Sequence, residues 1–156
     1  MALSACSVSF SAGGESLDVD KGEQLIEDQI EANTGFAVER VDCPERRISQ
    51  GDQFECTAII DGQPLRIQVT QTDDDGQIEG EPLQAVIDVA KATTVLTDEI
   101  RSQTGVAVTV TCSDKRALVQ DVGSTFDCQA RLPNGTSQRV MVTVKDVEGN
   151  VDFRVG

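Results

Sequence analysis

Apolar residues recur at helical spacing in two stretches of the chain, 21–33 and 91–103. Residues three or four positions apart lie on one face of a helix, so each stretch predicts an amphipathic helix. These apolar positions are Leu25, Ile26 and Ile30 in the first stretch and Val95, Leu96 and Ile100 in the second.

The ends of both predicted helices carry residues that favour caps. Asp18 or Asp20 is expected to cap the first helix at its start. Gly35 and Gly105 stand where a helix usually ends. Pro82 favours an early first turn of the second helix. The apolar face continues back through Leu83, Val86, Ile87 and Ala90. The second helix is therefore expected to begin as early as Pro82 and to bridge the two halves of the chain.

Alternating apolar and polar residues after each helix predict half-buried strands. The predicted strands are 36–41, 53–60 and 66–72 in the first half and 131–132 and 139–144 in the second. Asp61-Gly62 and Asn134-Gly135 are strong hairpin-turn signals, and later turns fall at 75–76 and 148–149. The predicted fold is α+β, with a helix packed on a roughly four-stranded antiparallel sheet in each half.

The two halves are tandem copies of one sequence. An offset of 70 aligns Lys21 with Lys91, an offset of 72 aligns 51–56 with 123–128, and an offset of 73 aligns Gly76 with Gly149. The offset changes only between predicted elements, as expected when loops absorb insertions. The predicted organisation is a leader segment 1–14, a first module 15–80 and a second module 81–156.

Four of the five cysteines form two matching pairs, Cys43 with Cys56 and Cys112 with Cys128. Modules of about 70 residues bury only about 60% of their unfolded surface, and one disulfide adds about 3 kcal/mol. The pairs therefore favour one disulfide per copy and an oxidising compartment. The alternatives are buried free thiols or a metal site, although zinc would favour close C-x-x-C spacing or the histidine that this chain lacks.

The fifth cysteine, Cys6, ends the sequence Leu3-Ser4-Ala5-Cys6, the residue order of a bacterial lipoprotein cleavage site. Met1-Ala2 stand where the apolar part of the signal would be, so the chain is expected to lack most of its export signal. The Ser/Gly-rich run up to Gly14 predicts a flexible leash. These features favour a lipid anchor on Cys6 in the native precursor. The alternative is a chance match, with Cys6 a stray thiol.

Each copy contains, in order, a helix, Thr-Gly, a strand ending in Cys, the sequence Gly-x-x-Phe-acid-Cys, a Val-Thr strand and an acid-Gly turn. In this order of motifs the chain resembles the actinobacterial domain of unknown function 4333. The first copy, with Cys43-Pro44, matches more closely than the second, which has Cys112-Ser113 and a longer loop between its cysteines. The resemblance implies an exported or membrane-anchored protein and supplies no catalytic residues.

Charge is strongly negative, with 27 acidic and 13 basic residues. Residues 15–80 hold 17 acids and 5 bases, whereas residues 81–156 hold 10 acids and 8 bases. Such a chain repels phosphate backbones, which argues against a nucleic-acid partner, and anionic lipid headgroups do not attract it. No stretch is long and apolar enough to span a bilayer, so membrane attachment is expected to be covalent or through a partner.

The residue types needed for common catalytic sites are scarce. Without histidine, Ser-His-Asp and Cys-His arrangements are excluded. Asp73-Asp74-Asp75-Gly76 resembles part of a calcium loop, but the required glutamate does not follow, and turn chemistry explains the run better. The sequence therefore predicts a non-enzymatic protein without catalytic residues, cofactor or metal.

Glu23, Glu27 and Glu31 recur every four residues along the first predicted helix. Like charges at this spacing repel weakly. A solvated face is the favoured interpretation, and a patch that binds a basic partner is the functional alternative.

The leading functional hypothesis is an extracytoplasmic, lipid-anchored protein whose tandem modules bind an envelope protein or a cell-wall component. A second hypothesis is a secreted inhibitor or regulator that uses its acidic first module to block a basic cleft. A third is a carboxylate-based hydrolase or a divalent-cation binder.

Overall fold

The computed structural model describes residues 6–8 and 16–156, and the chain divides into two compact units. Unit 1 ends at Gln84 and unit 2 begins at Ala85. This boundary falls shortly after the predicted one between residues 80 and 81. Both units are α+β with antiparallel sheets, as predicted.

Unit 1 consists of one helix and a five-stranded sheet. Its elements are β1 (Cys6–Val8), α1 (Val19–Thr34), β2 (Val38–Asp42), β3 (Gln53–Ile60), β4 (Gln63–Gln71) and β5 (Ile78–Pro82). The strand order is β1-β5-β4-β3-β2, with every neighbouring pair antiparallel. Ile26 and Ile30 of α1 are buried together with the inward-facing residues of β3 and β4.

Unit 2 repeats this plan with a second, small sheet. Its elements are β6 (Ala85–Asp88), α2 (Val89–Thr104), β7 (Thr109–Thr111), β8 (Ala117–Gln120), β9 (Thr125–Arg131), β10 (Ser137–Val144) and β11 (Val151–Val155). The main sheet has the order β11-β10-β9-β7, and β6 pairs with β8. The β6–β8 pair corresponds to a single bridge between Ser16 and Arg47 in unit 1.

Both helices begin and end at equivalent residues. The side chain of Asp18 accepts a hydrogen bond from Lys21 N, and Asp88 does the same for Lys91 N. Asp18 rather than Asp20 is therefore the cap of α1. Gly35 ends α1 in the left-handed region, with φ 74°, a conformation that glycine adopts without steric cost.

The prediction that the second helix begins as early as Pro82 is wrong. Pro82 ends β5, and Val86 and Ile87 belong to β6, which pairs with β8. These β-branched residues fit a strand, and the cap at Asp88 fixes the start of α2. Val95, which the helical spacing assigned to the apolar face, is 54% exposed.

The predicted leader, residues 1–14, is described only at Cys6–Val8. There the backbone is a strand instead of a leash, and it pairs antiparallel with Ile78–Gly80 of β5. Strand edges present unpaired N–H and C=O groups, and this pairing covers the edge of β5 over Ile78–Gly80. The rest of the predicted leash lies outside the described residues.

The β3–β4 hairpin forms at the predicted Asp61-Gly62 turn. Both residues have positive φ, 50° and 73°, as a tight two-residue turn between twisted strands requires. Ile60 pairs with Gln63 directly across this turn. The turn therefore sets the register that points Cys56, Ala58 and Ile60 into the core.

One disulfide staples each unit, as predicted. Cys43 is bonded to Cys56 and Cys112 to Cys128. In each case the first cysteine directly follows an edge strand and lies opposite the second on the neighbouring strand, with Cα atoms 4.4 and 4.0 Å apart. Each bridge therefore fastens the edge strand to the sheet.

Candidate functional site

A buried polar network organises the loop that precedes β3 in unit 1. Gln71 is fully buried, and its Nε2 donates to Arg47 O at 2.8 Å and to Asp52 Oδ2 at 3.2 Å. Its Oε1 accepts from Ser49 N at 2.9 Å. The side chain thus satisfies its own polar atoms and holds three points of the loop, as a buried amide requires.

The outer part of this network is a bidentate ion pair. Arg46 donates from Nε and Nη2 to the two carboxylate oxygens of Asp52, at 2.9 and 2.6 Å. The hydrogen bond from Arg46 is the main reason why the pKa of Asp52 lies below its usual value. The guanidinium carbon also lies 5.7 Å from the ring centroid of Phe54, within the range of cation–π attraction.

A cleft of about 500 Å³ opens beside this network. It is lined by Ser16, Leu17, Val19, Asp20, Glu45, Arg46 and Arg47. Small-molecule sites are usually lined by apolar and aromatic side chains, whereas most residues here are charged. The cleft therefore suits a polar, charged segment better than an apolar ligand.

The structure gives two of the three helix glutamates an internal partner. Glu23 Oε1 accepts from Cys43 N at 2.8 Å, and Glu31 Oε1 accepts from Val38 N at 2.9 Å. These carboxylates tie α1 to the two ends of β2. Binding of a partner by Glu23, Glu27 and Glu31 stays a prediction, but Glu23 and Glu31 already have a structural role.

The acidic run at Asp73 forms the predicted turn. Asp73 Oδ1 accepts from the backbone N–H groups of Asp75 and Gln77, and Asp146 makes the equivalent contacts in unit 2. Hydrogen bonds from Asn150 lower the pKa of Asp146. Within residues 6–8 and 16–156, no three Cys, Asp or Glu side chains are arranged to hold a metal ion.

The outer face of the unit 1 sheet presents a second polar surface, here called the acidic sheet face. The pairing register places Glu55, Gln68 and Glu81 in one row across β3, β4 and β5. The next row contains Gln53, Thr70 and Glu79. This surface was not among the sequence predictions, although Gln53 and Glu55 alternate with inward-facing Phe54 and Cys56 along β3.

The remaining predicted residues have the following positions. The four paired cysteines are disulfide-bonded, and Cys6 begins β1. Neither helix in the described part of the chain is long and apolar enough to cross a membrane.

Asp52, held ionised by Arg46, is a poor proton donor near neutral pH, because a catalytic acid needs a pKa close to the working pH.

Comparison with known proteins identifies one family. The family model of a domain of unknown function, DUF4333, matches residues 1–76 and again 78–149. Searches of curated proteins and of solved structures returned no match. The two matched ranges follow the internal duplication seen in both sequence and structure.

Proposed function

The chain belongs to the DUF4333 family in two tandem copies, and we propose that it is an exported, non-enzymatic binding protein anchored to the cell envelope. Its first unit binds a basic segment of another envelope protein. The observation that carries this proposal is the unequal charge of two units built on one plan.

The charge difference lies between the units. Unit 1, residues 1–84, has 18 acids and 5 bases, and unit 2, residues 85–156, has 9 acids and 8 bases. The net charges are therefore −13 and −1. A surface with one sign of charge speeds the approach of an oppositely charged partner and orients it.

The acidic sheet face offers a defined docking surface for such a partner. Glu55 and Glu81 are exposed on it, and Gln53, Gln68 and Thr70 supply amide and hydroxyl groups between the carboxylates. Arg66 lies 3.7 Å from Glu55, an exposed pair that holds little energy. A lysine- or arginine-rich segment would meet both charge and hydrogen-bond complementarity there.

The disulfides support export. A bridge that is solvent-accessible on one side persists only where thiols are not kept reduced, and Cys43 and Cys112 are both partly exposed. The Leu3-Ala5 sequence before Cys6 supports a lipid anchor in the precursor.

Proximity labelling from the anchored precursor in its native envelope tests the binding surface. The test variant is E55Q/E79Q/E81Q, which neutralises the acidic sheet face. The matched control is D28N/D42N/D75N, which removes the same charge elsewhere on unit 1. We expect the test variant to lose basic protein neighbours that the control keeps.

Equal loss in both variants would contradict a docking role of the sheet face and indicate only a general charge effect. Labelling of cell-wall material alone, with no protein neighbour, would contradict a protein partner. A secreted inhibitor would be recovered in the medium, bound to its target and free of the membrane.

Metabolic labelling with an acyl analogue tests the anchor on the full precursor. The label is expected on the wild type and absent from the Cys6→Ser variant. An unlabelled wild type would overturn the anchor and leave the binding surface unaffected.

A further inference from the structure

The last strand of unit 2 has an open edge. Within the described residues β11 pairs with β10 alone. Its equivalent in unit 1 is β5, which β1 covers on the outer side over Ile78–Gly80. Long, regular edge strands readily pair with another chain unless a protein blocks them.

The backbone groups that face outward on β11 follow from the hydrogen-bond ladder. Lys145 N donates to Asn150 O, and Gly156 N donates to Arg139 O. In an antiparallel ladder this makes Val144/Val151 and Val140/Val155 pairs without direct hydrogen bonds. The N–H and C=O groups of Val151, Phe153 and Val155 therefore point away from β10.

We propose that β11 is a self-association site that pairs antiparallel with β11 of a second copy of this chain. The pairing is centred on Phe153, which lies opposite Phe153 of the second copy. Val151 of each copy then lies opposite Val155 of the other copy. The outward-facing groups fall in register and form about six backbone hydrogen bonds across a twofold axis.

The side chains of Val151–Val155 are self-complementary in this register. Asp152 lies opposite Arg154 of the second copy, and Arg154 opposite Asp152, so two opposite-charge pairs form on the outer face. Cross-strand pairs of this kind stabilise a sheet. Asp152 also lies 3.6 Å from Lys145, but both side chains are more than half exposed, and this contact competes weakly.

The equivalent strand of unit 1 lacks these properties. The same register applied to β5 would place Glu79 opposite Glu81, a repulsive pair, and Pro82 has no N–H to donate. Gly80 stands where unit 2 has Phe153. Charges and proline are features that protect edges from pairing.

The edge strands β7 and β2 are less suited to pairing than β11. β7 has three residues, and β2 is interrupted by a register shift between Val38 and Arg40. By contrast, β11 pairs with β10 over five consecutive residues without a shift. Val155 is 44% exposed at this edge, and unit 2, which carries the edge, has 9 acidic and 8 basic residues.

Sedimentation velocity and light scattering on the full, disulfide-bonded chain test this dimer. The paired surface is small, so we expect a weak dimer with a dissociation constant on the order of 0.1 mM. D152R and R154D each turn both charge pairs repulsive and are expected to weaken the dimer about tenfold or more. An equimolar mixture of the two variants restores attraction in both pairs and should form a heterodimer.

The double variant D152R/R154D exchanges the charges within one chain and is expected to dimerise like the wild type. R131D, a charge reversal on β9 away from the edge, is the matched control and should also behave like the wild type. A wild type that stays monomeric up to about 1 mM would overturn the proposal. Equal dimerisation of D152R and wild type, or a mixture with no heterodimer, would do the same. Amide NMR spectra confirm that each variant is folded.

Discussion

Units 1 and 2 have the same backbone plan, but they stabilise the loop before β3 and the equivalent loop before β9 by different means. Gly51 N donates to Gln71 O at 2.8 Å, and Gly123 N donates to Val144 O at 2.7 Å. In the other direction Gln71 N donates to Asp52 O at 2.8 Å, and Val144 N donates to Ser124 O at 2.9 Å. The main chain is therefore conserved between the copies at this position, whereas the side chains are not.

In unit 1 the loop is held by the polar set Arg46, Asp52 and Gln71. The residues at the equivalent positions of unit 2 are Leu118, Ser124 and Val144. Val144 is buried with Ala85 and Ile87, and Leu118 packs against them. A hydrogen-bonded network in unit 1 and an apolar cluster in unit 2 thus stabilise the same loop conformation. The two solutions differ in how they respond to substitution and pH.

The largest expected effect is common to both units. Replacing both cysteines of either bridge with alanine should lower the free energy of unfolding by about 3 kcal/mol, because the closed loops are similar in length. The cysteines are separated by 13 and 16 residues. Urea unfolding of the full chain measures the loss, and native-state hydrogen exchange assigns it to a unit. A bridge whose removal costs less than half of this value would contradict equivalent roles.

The next effect separates the units. Gln71→Val installs the unit 2 residue but leaves Ser49 N–H and Arg47 C=O without their partner, and it should cost about 2 kcal/mol. Urea unfolding measures this cost against Gln68→Val, which changes a partly exposed glutamine on the same strand and should stay within about 0.5 kcal/mol.

The reciprocal change, Val144→Gln, buries an amide in the apolar cluster of unit 2. It should also destabilise by about 2 kcal/mol, since Ser124 replaces the carboxylate of Asp52 and the neighbours Ala85, Ile87 and Leu118 are apolar. If either substitution left the free energy of unfolding unchanged, the loop concerned would not depend on the side-chain contacts described for it.

The sequence predicted the locally encoded features of both units. The cap of α1, which was predicted at Asp18 or Asp20, the Asp61-Gly62 turn and the paired cysteines each depend on residues close together in the chain or on a repeated motif. β6 was missed because its apolar positions also fit a helix, and its partner β8 lies about 30 residues further on. Short apolar segments of this kind are ambiguous without that partner.

The alternation along β4 indicates a buried polar residue, which was not among the sequence predictions. Leu65, Ile67 and Val69 face inward at alternate positions of β4, and Gln71 continues the series. A polar residue at an inward position requires partners. The loop residues that supply them, above all Asp52, come from a segment whose conformation no periodicity describes.

Acid should weaken the loop of unit 1 through Asp52. The pKa of Asp52 is lowered in the folded state, so its stabilising contribution is fully present above the unfolded value, about 3.9. The contribution is lost as the pH falls through the lower folded pKa. Ser124, at the equivalent place in unit 2, does not titrate in this range.

Amide exchange at Gly51 and Gly123 between pH 6 and pH 3 measures this difference. After correction for intrinsic rates, Gly51 should lose protection below about pH 4 and Gly123 should lose less. Asp52→Asn should remove the excess loss at Gly51. An unchanged pH response in that variant would assign the effect to other carboxylates.

The smallest expected effect concerns the link between α1 and β2, which unit 2 cannot form in the same way. Thr93 and Arg101 replace Glu23 and Glu31, so α2 has no carboxylate at either position. Glu23→Ala removes the acceptor of Cys43 N–H and should cost about 1 kcal/mol. Glu27→Ala, one turn further along α1, is the matched control and should cost less than about 0.5 kcal/mol. Urea unfolding ranks the two, and an equal cost would mean that the helix glutamates act through general charge and not through the link to β2.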